Sequence, residues 1–333
     1  MGSCSATIGV FLKILFSIFR KAIYSLVLLL AVIVLNFLLL HIAPGDPVET
    51  LVAEMGGATP ELIAQLRSDY GLDKSFPEQL LNYCLRMAQG DLGMSFTYDQ
   101  PVIDIILGRL SATLILVLTA LVLAVTTGTI LGIMAAQRPK SVFSGLVSVI
   151  SLAGYAAPVF WTGIMLLILF SYLIPLFPSF GMVEVGSSGG ALDHFLDVLH
   201  HLVLPALTLA SIYLAVYSRI ARASMMDVLG SDYIRTARSK GLSERTVVYK
   251  HALKNAVLPV VTMAGLQFSQ LIAGAVVVET VFSWPGMGQL AFESILRRDY
   301  TLLLGILFFS TLIVIVVNFL TDLSYRLLDP RIK

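Results

Sequence analysis

Charge is scarce in this chain. Asp, Glu, Lys and Arg make up 13% of its 333 residues, about half the ~25% of an ordinary soluble domain, while 57% are hydrophobic. That balance excludes a soluble globular domain and indicates a polytopic membrane protein. Cysteine is scarcer still: Cys4 and Cys84 are the two in the sequence, too few and too far apart for a disulfide framework or a metal-type cluster. The net charge of +1 gives no nucleic-acid footprint. No G-x-x-x-x-G-K-[ST] occurs, so the chain has no phosphate-cradling loop of its own, and H-E-x-x-H and G-x-S-x-G are missing too. No catalytic residue, metal site or cofactor is expected from these absences.

What is present is a series of long apolar runs. Windows near 22–42, 110–135, 145–174, 203–221, 256–278 and 302–325 are each long enough to span a bilayer, which takes about 20 residues. The third holds Pro158 at its middle and is expected to be one long helix, kinked or tilted, because each half alone is too short to cross. Apart from residues at span ends, the windows hold no ionisable side chain other than tyrosine. Ion-coupled carriers generally place acids or bases within the membrane, so a proton- or sodium-driven carrier is disfavoured. The first run has Lys13, Arg20 and Lys21 before it and no A-x-A-like end, the pattern of a retained helix rather than a cleaved signal. Ala6 stands where a myristoylation signal needs Ser or Thr.

Lys and Arg are distributed unevenly. With six spans and the N-terminus inside, 16 of the 22 Lys/Arg fall on the inner side, and 16 of the 21 acids fall outside. This is the positive-inside pattern. It predicts an all-α polytopic fold with both termini cytoplasmic: residues 1–21 cytoplasmic, 22–42 the first span, 43–108 an extracytoplasmic segment, and 109–333 the main transmembrane domain with a cytoplasmic loop at 222–255. In the outer segment, "TPELIAQLRSDYGLD" and "FPEQLLNYCLRMAQGD" each read as a short helix. Thr59 is the N-cap of the first, Pro60 its first residue and Gly71 its end, and Pro77 and Gly90 repeat the plan. They form a small helical layer above the spans.

A few polar groups need weighing. "LDHFLDVLHH" places Asp193, Asp197, His200 and His201 near one helical face. A metal site is the sharper reading, and a solvated interfacial helix is preferred. Asn36 and Asn318 suit hydrogen bonds between helices. Gln267, Ser269 and Gln270 cluster in the fifth span and are the best candidates for lining a path.

The stretch Asp232–Pro259 carries six Lys/Arg and two acids. Its pattern is a short helix near 232–240 capped by Ser231, a turn at Gly241, and a second helix from Ser243 with Glu244 in its first turn. Binding to anionic lipid alone would need charge, not this helix–Gly–helix plan. A docking knob for a cytoplasmic partner accounts for it better, with the small residues Thr236, Ala237 and Ser239 leaving a low surface for close contact.

"DYIRTARSKGLSERTVVYKHALKNAVLPVVT" resembles the coupling loop of permeases of ABC importers, in the dipeptide/oligopeptide/nickel branch. "HIAPGDPVE", "YGLDKSFPEQLLNY", "GDLGMSF", "GRLSATLIL" and "ETVFSWPGMGQL" agree, so the likeness runs from about residue 20 to the C-terminus. Arg235-Thr236-Ala237 stands where the general importer pattern has Glu-Ala-Ala, and Gly241 follows at the expected spacing. The resemblance implies a type I importer permease fold in a bacterial inner membrane. It implies ATPase coupling through Tyr233, Arg235, Thr236, Ala237, Arg238, Lys240, Gly241 and Leu242, with Leu258 and Pro259 ending the loop. Asp46, Asp91 and Trp284 are the candidate contacts for a binding protein. The implied partners are a second related permease, two cytoplasmic ABC ATPase subunits, an extracytoplasmic substrate-binding protein and membrane lipid. The implied cargo is a short peptide, with nickel or a metal chelate, glutathione or an opine-like solute as the alternative.

Overall fold

The computed structural model describes residues 2–42, 57, 59–69, 74–184, 186 and 189–328, with the side chains of 2–18, 40, 66, 67, 69, 266, 269 and 322–328 outside that description. The elements are α1 (Gly2–Ile42), α2 (Pro60–Asp69), α3 (Phe76–Ala88), β1 (Met94–Ser95), β2 (Gln100–Pro101), α4 (Val102–Gln137), α5 (Val142–Ala156) and α6 (Val159–Leu167), which ends in a π-helical turn, Ile168–Leu173. There follow α7 (Ala191–Leu229), α8 (Asp232–Ser239), α9 (Glu244–Thr246), a second π-helical turn (Val247–Ala252), α10 (Leu253–Ala256), α11 (Leu258–Val281), α12 (Met287–Leu296) and α13 (Tyr300–Leu328). The fold is all-α apart from the two-residue hairpin strands.

Among the described residues, four helices are long and apolar enough to cross a membrane: Phe19–Leu39 within α1, α4, α7, and Tyr300–Thr321 within α13. Two bent pairs bring the total to six when each is counted as one span. One is α5 with Val159–Leu173, bent by 107°, and the other is Glu244–Gly265 with Gln270–Val281, bent by 65°. The first corrects the expectation of a single kinked helix. Pro158 disfavours helical backbone in the residue before it. Ala157 accordingly takes ψ 134°, and the chain breaks into two helices instead of bending through one.

The chain divides into two compact units, Met1–Ile106 with Ser294–Val316, and Leu107–Glu293 with Val317–Lys333. In the first, α2 starts as expected, with Leu62 N donating to Thr59 Oγ1 at 3.4 Å, while Gly71 lies outside the described residues. Before α3, the Ser75 backbone N and Oγ both donate to Glu78 Oε2, at 3.1 and 2.9 Å, and these bonds hold the Glu78 carboxyl below its ordinary pKa. Gly90, at φ +80°, ends α3. His41 binds the Phe37 carbonyl and Gln79 Oε1, pinning the end of α1 to α3. Tyr83 is buried, and burial pushes its phenol up to about 12. Asn36 does bond between helices, donating to the Leu304 carbonyl at 3.1 Å. Asp299, 2% exposed, accepts from Ser95 Oγ (2.5 Å), Thr97 N (3.2 Å) and Leu302 N (3.0 Å). It thereby caps α13 and holds the hairpin in one contact.

The second unit has its core where α4, α7 and α11 meet, around Leu116, Leu204, Leu209, Tyr217, Leu271 and Phe282. Small residues permit the close crossings. A Cβ at Gly128 would stand 2.9 Å from the Leu214 carbonyl, and one at Gly154 would stand 3.3 Å from the Ser211 carbonyl. Helix α7, with 39 residues, is about 58 Å long. It therefore extends well past the ~30 Å hydrocarbon core and carries polar groups beyond it.

Candidate functional site

The basic segment folds as two short helices set against the end of the spans. α8 is strongly amphipathic. Ile234 and Ala237, three residues apart, are 0% and 8% exposed. They enter an apolar cluster with Ile133 and Ala136 of α4, Met225 of α7, and Val247, Val248, Ala252 and Ala256. Ala237 is therefore not part of a low outer surface, which corrects the sequence expectation: its small side chain lets α8 lie close to its own chain. The outward face presents Tyr233, Arg235, Thr236, Arg238, Lys240 and Leu242, all exposed.

The turn between the helices is built as the spacing predicts. Gly241 has φ +76°, a region that is cheap for glycine. Ser243 Oγ accepts from Thr246 N at 3.3 Å. Ser231 flanks α8 in extended backbone, but its hydroxyl donates to the Val228 carbonyl at 2.6 Å instead of capping. Arg238 reaches across the glycine turn to Glu244 with two bonds, Nε to Oε2 at 3.1 Å and Nη2 to Oε1 at 2.6 Å. The pairing lowers the Glu244 pKa and raises that of Arg238. Asn255 Nδ2 donates to Tyr233 Oη at 2.8 Å, tying α10 to α8, and Arg235 pairs within its own helix to Asp232. The result is a fixed platform with a cationic rim and exposed Tyr233, Leu242 and Tyr249. It can bind a partner surface and transmit a push, but it holds no arrangement for chemistry. Leu258 and Pro259 are exposed at the start of α11, where proline fits the first turn.

The path candidates all lie on α11. Gln270 is exposed and Gln267 half-buried, with no hydrogen-bond partner for Gln267 Oε1, while the side chain of Ser269 lies outside the described set. Among the outer candidates, Asp46 lies outside the described residues. Asp91 is exposed and accepts from Gly93 N at 2.9 Å. Trp284 is corrected: it is 0% exposed and donates from Nε1 to the Ala112 carbonyl at 2.9 Å, so its ring cannot meet a partner. The Asp193–His201 group serves as a set of loop ties. Asp197 Oδ2 accepts from Glu184 N, His200 Nε2 binds the Leu176 carbonyl, His201 Nδ1 lies against Asp197, and Asp193 accepts from Gly190 N. No cluster of three metal-ligating side chains occurs among the described residues.

Glu279 is the residue that sequence reasoning missed. It sits in the last turn of α11, 0% exposed. Thr113 Oγ1 (2.7 Å), Gly288 N (2.6 Å) and Gln289 N (3.1 Å) all donate to it, and Met287 N donates to Thr113 Oγ1 at 2.8 Å. A carboxylate at the start of a helix satisfies amides that lack partners. Gly286 and Gly288 make the approach possible, since a Cβ at Gly286 would collide with the carboxylate and one at Gly288 would stand 2.5 Å from Val276 Cα. An acid one residue beyond an apolar window, followed by "WPGMG", is the signal that could have revealed it.

Comparison with known proteins accounts for nearly the whole chain. Residues 128–333 match the family described as binding-protein-dependent transport system inner membrane component, and residues 14–117 match its N-terminal companion. The di/tripeptide transport system permease protein DppB of Pseudomonas aeruginosa is 43% identical, with 91% of this chain and 94% of that protein covered. The dipeptide permease DppB of Escherichia coli is 40% identical at the same coverage. The oligopeptide permease AppB of Bacillus subtilis is 37% identical, with 95% and 98% covered. In fold, an inward-facing MetNI methionine ABC transporter chain matches with a TM-score of 0.54 at 15% identity, over 68% of this chain and 97% of that one. The platform at 232–256 and the spans that carry it thus lie inside the matched region, and the chain belongs to the family of inner membrane components of binding-protein-dependent transport systems.

Proposed function

We propose that this chain is a permease subunit of an ATP-driven importer of short peptides, forming half of the translocation path beside a second related permease. Two cytoplasmic ATPase subunits bind beneath the permease pair, one of them against the face of α8, ATP hydrolysis falls to them, and a peptide-loaded binding protein docks on the outer side. The observation that carries the reading is the 43% identity, over nearly the full length, to a permease named for di- and tripeptides. The platform supports it physically, because α8 is exposed on one face and packed on the other against α4 and α7. Movement of α8 by a partner would therefore reach two spanning helices directly. Both termini are assigned to the cytoplasm from the Lys/Arg distribution, which requires that α5 and α6 together make one crossing.

The test is reconstitution of the chain with its permease partner, ATPases and binding protein. Dipeptide-loaded binding protein is expected to stimulate ATP hydrolysis and peptide uptake. Uptake of nickel with no response to peptides would overturn the cargo assignment. For orientation, Glu184→Cys is expected to react with an impermeant thiol reagent from outside, and Ser243→Cys is not, once Cys4 and Cys84 are replaced. The reverse labelling would invert the topology.

A further inference from the structure

A cleft of about 230 Å³ lies between α5 and α7. Its floor is polar at one end: Arg222 Nη1 donates to Ser148 Oγ at 2.8 Å, and Arg219, one turn earlier on α7, lines the same cleft. Ser151 also lines it, and its hydroxyl has no hydrogen-bond partner. No carboxylate among the described residues pairs with either arginine. The opposite end is apolar and open, with Leu152 65% and Tyr155 54% exposed. The two helices run antiparallel, with Gly154 against Ser211 and Ser148 against Arg222. The cations therefore lie toward the helix ends that carry Arg138 and Lys140, and the apolar wall points toward the middle of the membrane. Ser148 to Tyr155 spans about 10 Å along α5.

We propose that this cleft holds an anionic phospholipid from the leaflet at the basic end of the spans. The headgroup phosphate accepts from Arg219 and Arg222, with Ser148 holding the Arg222 guanidinium in place, and an acyl chain lies along Leu152 and Tyr155. Guanidinium groups at the end of a spanning helix, with no carboxylate beside them, attract anionic headgroups. A planar guanidinium fork fits phosphate oxygens in pairs, and basic pockets between spanning helices suit anionic headgroups. A short peptide would satisfy the cations through its carboxylate but would leave the open apolar wall without a chain to cover it.

The experiment uses the full-length chain purified with its partner subunits and placed in nanodiscs of phosphatidylcholine containing phosphatidylglycerol. Native mass spectrometry counts each lipid retained. The wild type is expected to enrich phosphatidylglycerol about tenfold over its share of the bilayer. Arg219→Gln with Arg222→Gln is expected to return the ratio to that of the bulk, and Arg219→Lys with Arg222→Lys to keep most of the enrichment. Leu152→Trp, which fills the cleft without changing charge, is expected to lower retention of the lipid as well. An identical lipid ratio in wild type, the double Gln variant and Leu152→Trp overturns the proposal. Unchanged lipid retention with lost peptide uptake in the Gln variant also overturns it, and assigns the arginines to the cargo carboxylate. If the Gln variant does not assemble, the Lys and Trp variants carry the same decision.

Discussion

The two ends of α11 are held in opposite ways. At its C-terminal end Glu279 is buried with three hydrogen bonds, one of them from Thr113, and Trp284 is buried beside it. At its N-terminal end the chain leads into α10, the π-helical turn and α8, held by an apolar cluster under a solvated, charged face. A desolvated hydrogen-bond network is costly to break and tolerates no sliding, whereas apolar contacts are non-directional and allow a small re-packing. The C-terminal end of this helix is therefore the harder to shift, and the N-terminal end the easier to re-pack.

Removing the Glu279 clamp is the strongest way to break that contrast. Glu279→Ala is expected to destabilise the chain by about 3–5 kcal/mol, because it leaves Thr113 and two helix amides without a partner in a buried site. Thermal unfolding in detergent measures it. A loss below about 1 kcal/mol would mean that the C-terminal end is not rigidly held. Next in size is a charge under α8. Ala237→Glu places a carboxylate in the apolar cluster, at about 2–4 kcal/mol, and is expected to free α8 and uncouple transport. Thr236→Glu, one position away and outward, should leave folding intact and weaken only the ATPase complex. Equal loss of folding in both variants would contradict the inward and outward assignment.

Gly241→Val is a smaller change. A β-branched residue at φ +76° carries about 1–3 kcal/mol of strain, expressed as reduced peptide-stimulated ATP hydrolysis with normal insertion. Wild-type coupling would show that the turn can re-form without its left-handed residue. Smallest is the Arg238–Glu244 pair, with side chains 42% and 61% exposed, worth about 0.2–1 kcal/mol. The Glu244 pKa is depressed in the folded chain. Its contribution is therefore present above the ordinary glutamate value and lost as pH falls through the lowered one. Arg238→Gln should abolish that contribution, so that thermal stability differs from wild type near neutral pH and the difference vanishes in acid. High salt should shrink it further.

The segment leading into α11 was largely legible from sequence because its rules are local. Gly241 at the turn, Ser243 as a cap and Glu244 in the first turn follow from residue type and spacing. The direction of Ala237 was not legible, since a small side chain fits either face and the cluster it enters includes Ile133 and Ala136, about 100 residues earlier in the sequence. Glu279 and Trp284 were missed or misplaced for the same reason: Thr113 and Ala112 lie more than 160 residues earlier. The break at Pro158 was half legible. Proline marks the site, but the 107° angle depends on what α5 and α6 each pack against.

Asp299 has a consequence for the order in which the protein is made. Its bond to Ser95 joins residues 204 positions apart, so the hairpin leaves the ribosome long before the acid that secures it. At about 5–20 residues per second the interval is about 10–40 s. During that time the early helices sit in the membrane with their polar hairpin unsecured, and a nascent chain arrested before residue 299 presents a half-built unit to the quality-control proteases.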